Sequence, residues 1–399
     1  MTQSVVGSIT LGYRPLWNQA RELAAVQLFV EAAQGGAIDA MHLVAALEEL
    51  ASMATPQLLL SMHNKRLLSD MLAHAPAGDY WIEVRGEWLA EPDIYERTQH
   101  AHARGVKLVW RGAQENWATA PLQHCFFLRM LSMAPLTAAT ALQIATAGQH
   151  EPSPVEAGQI YEGVASRALA NLCLDRCGAL AIAGWPAEDV LYAHRHQPVA
   201  PDGEVIRRAA RAVADDQSME QIEAIVREEP VLAYRFLAYT NSAAMGLRTG
   251  IESVRHGLMM LGYGALGRWL AEQREQAADD IDLRPVKAQM VLRARLTEHL
   301  LNAGAEVGLR REVYLCGLFA ELDVLLHEPL GVVLNRLPLS ERIYAATVRR
   351  SGPYAPALQI ARTLEGDDTP TLRAVCRTHG IAIEEVNRQL LRALVGMRR

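Results

Sequence analysis

TNSAAMGLRTGIESVRHGLMMLGYGALGRWL, residues Thr240–Leu270, decides how the second half of the chain reads. The stretch leaves a helix at Asn241-Ser242, loops through small residues and restarts. Ser253 can cap the next helix, because its hydroxyl accepts a bond from a free first-turn amide. Val254, Leu258 and Leu261 then recur at helical spacing, and Gly262 stands where a left-handed residue must end that helix. Leu266, Trp269 and Leu270 make the inward stripe of the following helix. The reading is two short helices meeting at an angle, with no catalytic group among them.

Outward from there, nearly every segment after residue 203 reads as helix. Ser218 caps Met219–Arg227, Pro230 opens the next helix, and Ser340 caps another from Glu341. Further helices are expected over Pro285–Val307, Arg311–Leu326, Pro353–Leu364, and from Thr369 and Ala382. YAHRHQPVAPDG, Tyr192–Gly203, has the prolines and terminal Asp-Gly of a linker, which divides the chain into domains 1–197 and 198–399. His194 and His196 in that linker read as solvated.

The first half alternates strands with helices. Ser8–Trp17 and Ala24–Val30 read as strands, Asp39 caps a helix through Leu50, and Thr55-Pro56 opens another carrying Leu58, Leu59 and Leu68. Short apolar runs follow at Tyr80–Val84, Val106–Trp110, Cys125–Met130, Pro154–Ile160 and Ala179–Ala183. This order argues for parallel βα units approaching a barrel. The fold class expected is therefore α/β plus all-α, a worn and incomplete TIM-like barrel followed by an all-helical domain.

Composition narrows the functions. The chain has 399 residues, enough for two cores, and a net charge of −6, which gives no basic field for nucleic acid or an acidic membrane. Five scattered cysteines lack zinc spacing; Cys173 and Cys177, four apart, read as buried helix residues. No leader-like start and no bilayer-length apolar span are seen, so a reduced cytoplasmic location is expected.

The run containing Pro230, Leu232, Arg235, Leu237, Asn241, Ser242, Ile251, Ser253, Leu261, Gly262 and Trp269 resembles an HDOD domain, and Cys316–Ile343 resembles its downstream half. Together with the barrel, the chain resembles the YuxH-like bacterial signalling proteins, which join a degenerate EAL domain to an HDOD domain. EAL phosphodiesterases hydrolyse cyclic di-GMP with magnesium or manganese held by carboxylates and an Asn, and hard cations need such oxygen ligands.

The resemblance sets Gln27-Leu28-Phe29 in place of Glu-Ala-Leu, Glu83 in place of the metal-binding Asn, and Arg111-Gly112 in place of Asp-Asp. Arg129-Met130-Leu131 replaces Lys-Ile-Asp, Ile160-Tyr161 a hydrophobic-Glu pair, and Ala183-Gly184-Trp185 a Gln-Gly-aromatic run. The strand carrying a further Glu is missing on this reading. A missing strand leaves unpaired backbone, to be covered by the chain's own helices or paired in a homodimer. HDOD domains resemble HD phosphohydrolases without their ligands, and here Ala320-Glu321 stand at the His-Asp place.

The resemblance thus implies no metal, no cofactor and no catalysis. It implies instead an adaptor acting through protein partners, with Asn241, Ser242, Ser253, Leu261, Gly262 and Trp269 as an interaction platform. Two alternatives stay open: a non-hydrolysing cyclic di-GMP receptor using Arg111, Arg129 and Trp185, and an active phosphodiesterase.

Overall fold

The computed structural model describes residues 7–32, 43, 56–147, 153–245, 250–278, 280–301 and 307–395. They form two compact units, one of residues Met1–Asp189 with Thr363–Arg399 and one of Val190–Arg362. This partition differs from the expected 1–197 and 198–399. The last stretch of the chain belongs with the barrel, because its hydrogen bonds go to the first strand.

In the first unit eight strands close a barrel in chain order: β1 (Ile9–Trp17), β2 (Leu23–Ala32), β3 (Gln57–Met62), β4 (Tyr80–Arg85), β5 (Lys107–Ala113), β6 (Leu128–Ser132), β7 (Ile160–Glu162) and β8 (Ala181–Ala183). β1 runs antiparallel to both β2 and β8, and the other neighbours are parallel. The expectation of an incomplete barrel is therefore corrected: the missing strand is β3, QLLLSM. Its apolar run is buried on both faces and so lacks the alternation that marks a half-exposed strand. The helix expected across it begins only at Lys65, where the Asn64 side chain accepts from the Leu67 amide at 2.8 Å.

Other boundaries move less. The strand expected over Pro154–Ile160 starts at Ile160, and the one expected over Cys125–Met130 starts at Leu128 after a 3-10 turn at Gln123–Cys125. Of the helix expected from Asp39 through Leu50, all but Leu43 lies outside the described residues.

Side-chain parity organises the barrel interior. Successive strand residues face opposite sides, so inward positions recur every second residue. One interior layer is apolar and includes Leu16, Ala25, Leu59, Val109, Leu128, Met130, Ile160 and Ala181. Two residues further along the parallel strands come Gln27, Ser61, Arg111, Ser132 and Glu162, joined by Glu83 of β4. A dry layer thus supports a polar one at the C-terminal ends of the strands, where barrels of this kind place their sites.

The second unit is helical. Its main helices are Gly203–Ala214, Met219–Arg227, Pro230–Thr240, Val254–Glu275, Arg284–Leu300 and Val307–Phe319. Ser218 and Gln221 form a reciprocal capping box at the second of these. The helix expected over Arg311–Leu326 is broken into Val307–Phe319 and Leu322–Leu326.

Within the Thr240–Leu270 stretch the described residues fold as expected. The Ser253 side chain accepts from the His256 amide at 3.2 Å, and Gly262 interrupts the long helix with φ 68°. Asn241 ties the loop shut, donating to the carbonyls of Leu237 (2.7 Å) and Ile251 (2.9 Å) and accepting from the Ile251 amide (2.7 Å).

Candidate functional site

The polar layer at the barrel mouth is one connected network. Gln27 Nε2 donates to Ser61 Oγ at 2.9 Å and to Glu83 Oε2 at 2.8 Å, and the Ser61 hydroxyl also donates to Glu83. Glu83 is 2 % exposed, so its charge needs a close partner. Arg111 supplies it: Nη1 donates to Glu83 Oε1 at 3.0 Å. The same guanidinium forks onto Glu162, with Nε at 2.9 Å and Nη2 at 2.8 Å from its two oxygens. Ser132 Oγ donates to Glu162 Oε1 at 2.8 Å, and Arg14 Nη1 lies 3.6 Å from Oε2.

The charges tune one another. Burial pulls the Arg111 guanidinium toward its neutral form, but Glu83 and Glu162 together outweigh burial and raise its pKa. Burial pushes Glu162 up, and the Arg111 fork, with Ser132 and Arg14, more than reverses it, holding the carboxyl below its ordinary range.

The divalent cation that EAL phosphodiesterases use does not fit these residues. Two carboxylates converge, but the Arg111 guanidinium stands between them and engages both, which puts a fixed positive charge where a divalent cation would need anions. Among the described residues no group of three or more His, Cys, Asp or Glu is arranged to hold a metal ion. The Cys173 thiol is pushed up to about 12 by burial, with Cys177 adding to it, so Cys173 is no ready thiolate.

Parity also corrects the residue assignments. Glu83 lies on β4, one strand later than expected once β3 is counted, and Ser61 is the inward residue on β3. The hydrophobic-Glu position read as Ile160-Tyr161 leaves out Glu162, one residue on, which faces the mouth. Glu162, Ser61, Ser132 and Arg14 were all missed, and counting two residues on from the apolar layer finds the first three.

The three residues expected to hold a nucleotide do not converge. Arg129 sits between the inward Leu128 and Met130, faces out of the barrel, pairs with Glu156 at 2.5 Å and stacks on Trp117 at 5.0 Å. Trp185 lies beside Arg21, 5.7 Å from its guanidinium. Leu131 is buried on the outward face, Ala183 closes the apolar layer, and Gly112 is a glycine because a Cβ there would sit 2.6 Å from the Trp110 ring. What opens at the mouth is a cleft of about 570 Å³ whose lining includes Arg85, Arg111, Asn116, Thr119, Ser132 and Glu162. Arg85 stacks on Trp88 at 4.8 Å, and its Nε is 3.9 Å from Glu83.

In the helical unit Ala320 is buried, and its carbonyl accepts from Arg362 Nη2 at 3.2 Å. Glu321 pairs with buried Arg293 and lies 3.5 Å from Arg362 Nε. Trp269 is 2 % exposed, packed on Phe236 at 5.2 Å and Tyr239 at 5.9 Å, so it builds the core beneath the Asn241–Trp269 region. Asn241, Ser242, Ser253, Leu261 and Gly262 are partly exposed there, and the large apolar groups that reach solvent nearby are Met259 and Met260. His194, expected in solvent, is buried; Nδ1 faces the Val190 carbonyl at 2.7 Å and Nε2 pairs with Asp280.

Residues 200–327 match the HDOD domain family. The chain is 22 % identical over 204 residues to the cyclic di-GMP phosphodiesterase CdgJ of Vibrio cholerae, across 49 % of this chain and 45 % of that one. It is 23 % identical over 165 residues to the uncharacterised protein YuxH of Bacillus subtilis, across 39 % of each. The matches thus span less than half the length of either relative.

Among solved structures it is similar to the MmoQ response regulator of Methylococcus capsulatus, with TM-score 0.42 and 16 % identity over 49 % of this chain and 99 % of that one. It is also similar to the EAL domain of Mycobacterium smegmatis DcpA, with TM-score 0.30 and 14 % identity over 44 % of this chain and 90 % of that one. Among the described residues no helix is long and apolar enough to cross a membrane. Residues 200–327 are an HDOD domain, and an eight-stranded barrel precedes them, as in the EAL–HDOD signalling proteins that the chain resembles.

Proposed function

We propose that the chain is a non-catalytic adaptor in bacterial cyclic di-GMP signalling, acting through protein partners. One observation carries the reading: the Arg111 guanidinium bridges Glu83 and Glu162 at 2.8–3.0 Å, the place where phosphodiester hydrolysis on this fold would need a divalent cation. The HDOD domain and the likeness to CdgJ support the signalling context. The test is cyclic di-GMP turnover with manganese. None is expected, and turnover that disappears in Glu83→Gln would overturn the proposal.

A second reading, a receptor that binds cyclic di-GMP without cleaving it, is favoured by the cleft of about 570 Å³ and by Arg85 on its wall. Guanidinium forks suit phosphate oxygens. Calorimetry decides between the two readings: micromolar binding weakened at least tenfold by Arg85→Ala would move the assignment from adaptor to receptor.

A further inference from the structure

β1 pairs with β8 only at Leu16 and Trp17, and Gly184 N donates to the Pro15 carbonyl at 2.8 Å just beyond. Among the described residues, the same edge of β1 has no barrel strand beside it from Tyr13 back to Ile9. Its backbone groups are nonetheless taken up, by the chain's own last segment. Tyr13 N donates to the Leu364 carbonyl at 2.9 Å, and Gly366 N donates to the Tyr13 carbonyl at 2.8 Å. Further up, the Asn387 amide spans two residues, accepting from Leu11 N at 3.0 Å and donating to the Ile9 carbonyl at 2.8 Å. Asn387 is fully buried. The odd-numbered edge is thus served in turn by β8, by Leu364–Gly366 and by a helix at Ile383–Leu394, as buried backbone requires.

The segment also touches the charges of the mouth. Asp367 lies 4.0 Å from Arg14, which lies 3.6 Å from Glu162, which Arg111 grips at 2.8 Å. We infer that Leu364–Leu394 is a strap that covers the part of the β1 edge beyond its short pairing with β8, and that its undocking exposes this edge and unties Arg14 from the strap side. Arg362, the last residue of the helical unit, is followed directly by this strap, so the segment that leaves the HDOD-bearing unit is the one that covers this edge. This edge is occupied within one chain, so pairing of two copies through it would require the strap to leave. The inference is independent of the adaptor reading.

Hydrogen exchange on the full chain tests it. The amides of Leu11, Tyr13 and Gly366 are expected to be protected and to open together, at least tenfold faster than the amides of the β2–β3 ladder. Asn387→Leu should speed exchange at all three by a further tenfold or more and leave that ladder unchanged. It should also shift the Arg14 Nε resonance; an unmoved resonance would remove the link to the mouth. Gly12→Ala is the second handle, because a Cβ there would collide with the Gly366 carbonyl. It should speed Tyr13 and Gly366 in the same way, and it decides the matter if Asn387→Leu does not fold. The strap is overturned if the three amides are unprotected in the wild type, if they exchange only together with the ladder, or if both variants leave them unchanged.

Discussion

At the barrel mouth an arginine stands between two carboxylates, whereas in the helical unit a carboxylate, Glu321, stands between two arginines. Both are places where the resemblance implies lost metal chemistry, and both now hold ion pairs. They differ in depth. Glu83 is 2 % exposed and is met inside the barrel by Arg111, whereas the Glu321 side chain is 33 % exposed and solvent shares in its stabilisation. The mouth is therefore an internal brace of the barrel, and the Glu321 cluster is closer to an ordinary surface bridge.

That comparison is open to breaking. Arg111→Ala leaves a buried carboxylate without its main partner and is expected to cost about 3–5 kcal/mol in urea unfolding; a loss below about 1 kcal/mol would mean the mouth is wet and the brace is not needed. Trp269→Ala should cost a similar amount, about 3–5 kcal/mol, because it empties a core position between Phe236 and Tyr239. A variant of wild-type stability that failed to capture partners would restore Trp269 as a surface contact. Glu321→Ala should cost about 1–2 kcal/mol, less than either. The reverse order of Arg111→Ala and Glu321→Ala would invert the comparison.

The smallest effect is a difference of sign with pH. Glu162 has its carboxyl held below the ordinary range, so the stability it adds is full above the unfolded value near ~4.3 and is lost as pH falls through its lower folded value. Glu298 in the helical unit is pushed up by burial, which Arg227 and Arg310 do not fully offset. Between its unfolded value and its higher folded value the native state holds more protons than the unfolded one, so stability falls as pH rises there. Glu162→Gln should therefore destabilise at pH 7, and Glu298→Gln should be neutral or stabilising. Urea midpoints at pH 4 and pH 7 check both, and equal signs would show that the two carboxylates do not differ as described.

How legible the molecule was depended on the range of the interactions. Ser218, Ser253 and Gly262 act within a turn of helix, and their roles were readable from neighbouring residues alone. β3 was misread because Thr55-Pro56 imitates a helix start and a strand buried on both faces shows no alternation. Misreading one strand displaced the assignment of Glu83 and made the barrel look open. Arg129 was misplaced for a related reason: its neighbours Leu128 and Met130 both face the core, which turns it outward.

By itself the sequence determined the fold class and the helical punctuation of the second half, which rest on local spacing and residue chemistry. Only the tertiary structure decided that Arg111 would join Glu83 to Glu162, and that Asn387 would bond Ile9 and Leu11 across nearly the whole chain. Those contacts unite residues with no periodic relation to one another. Barrel closure and the need to satisfy buried charge and backbone select them, and both act only once the chain is folded.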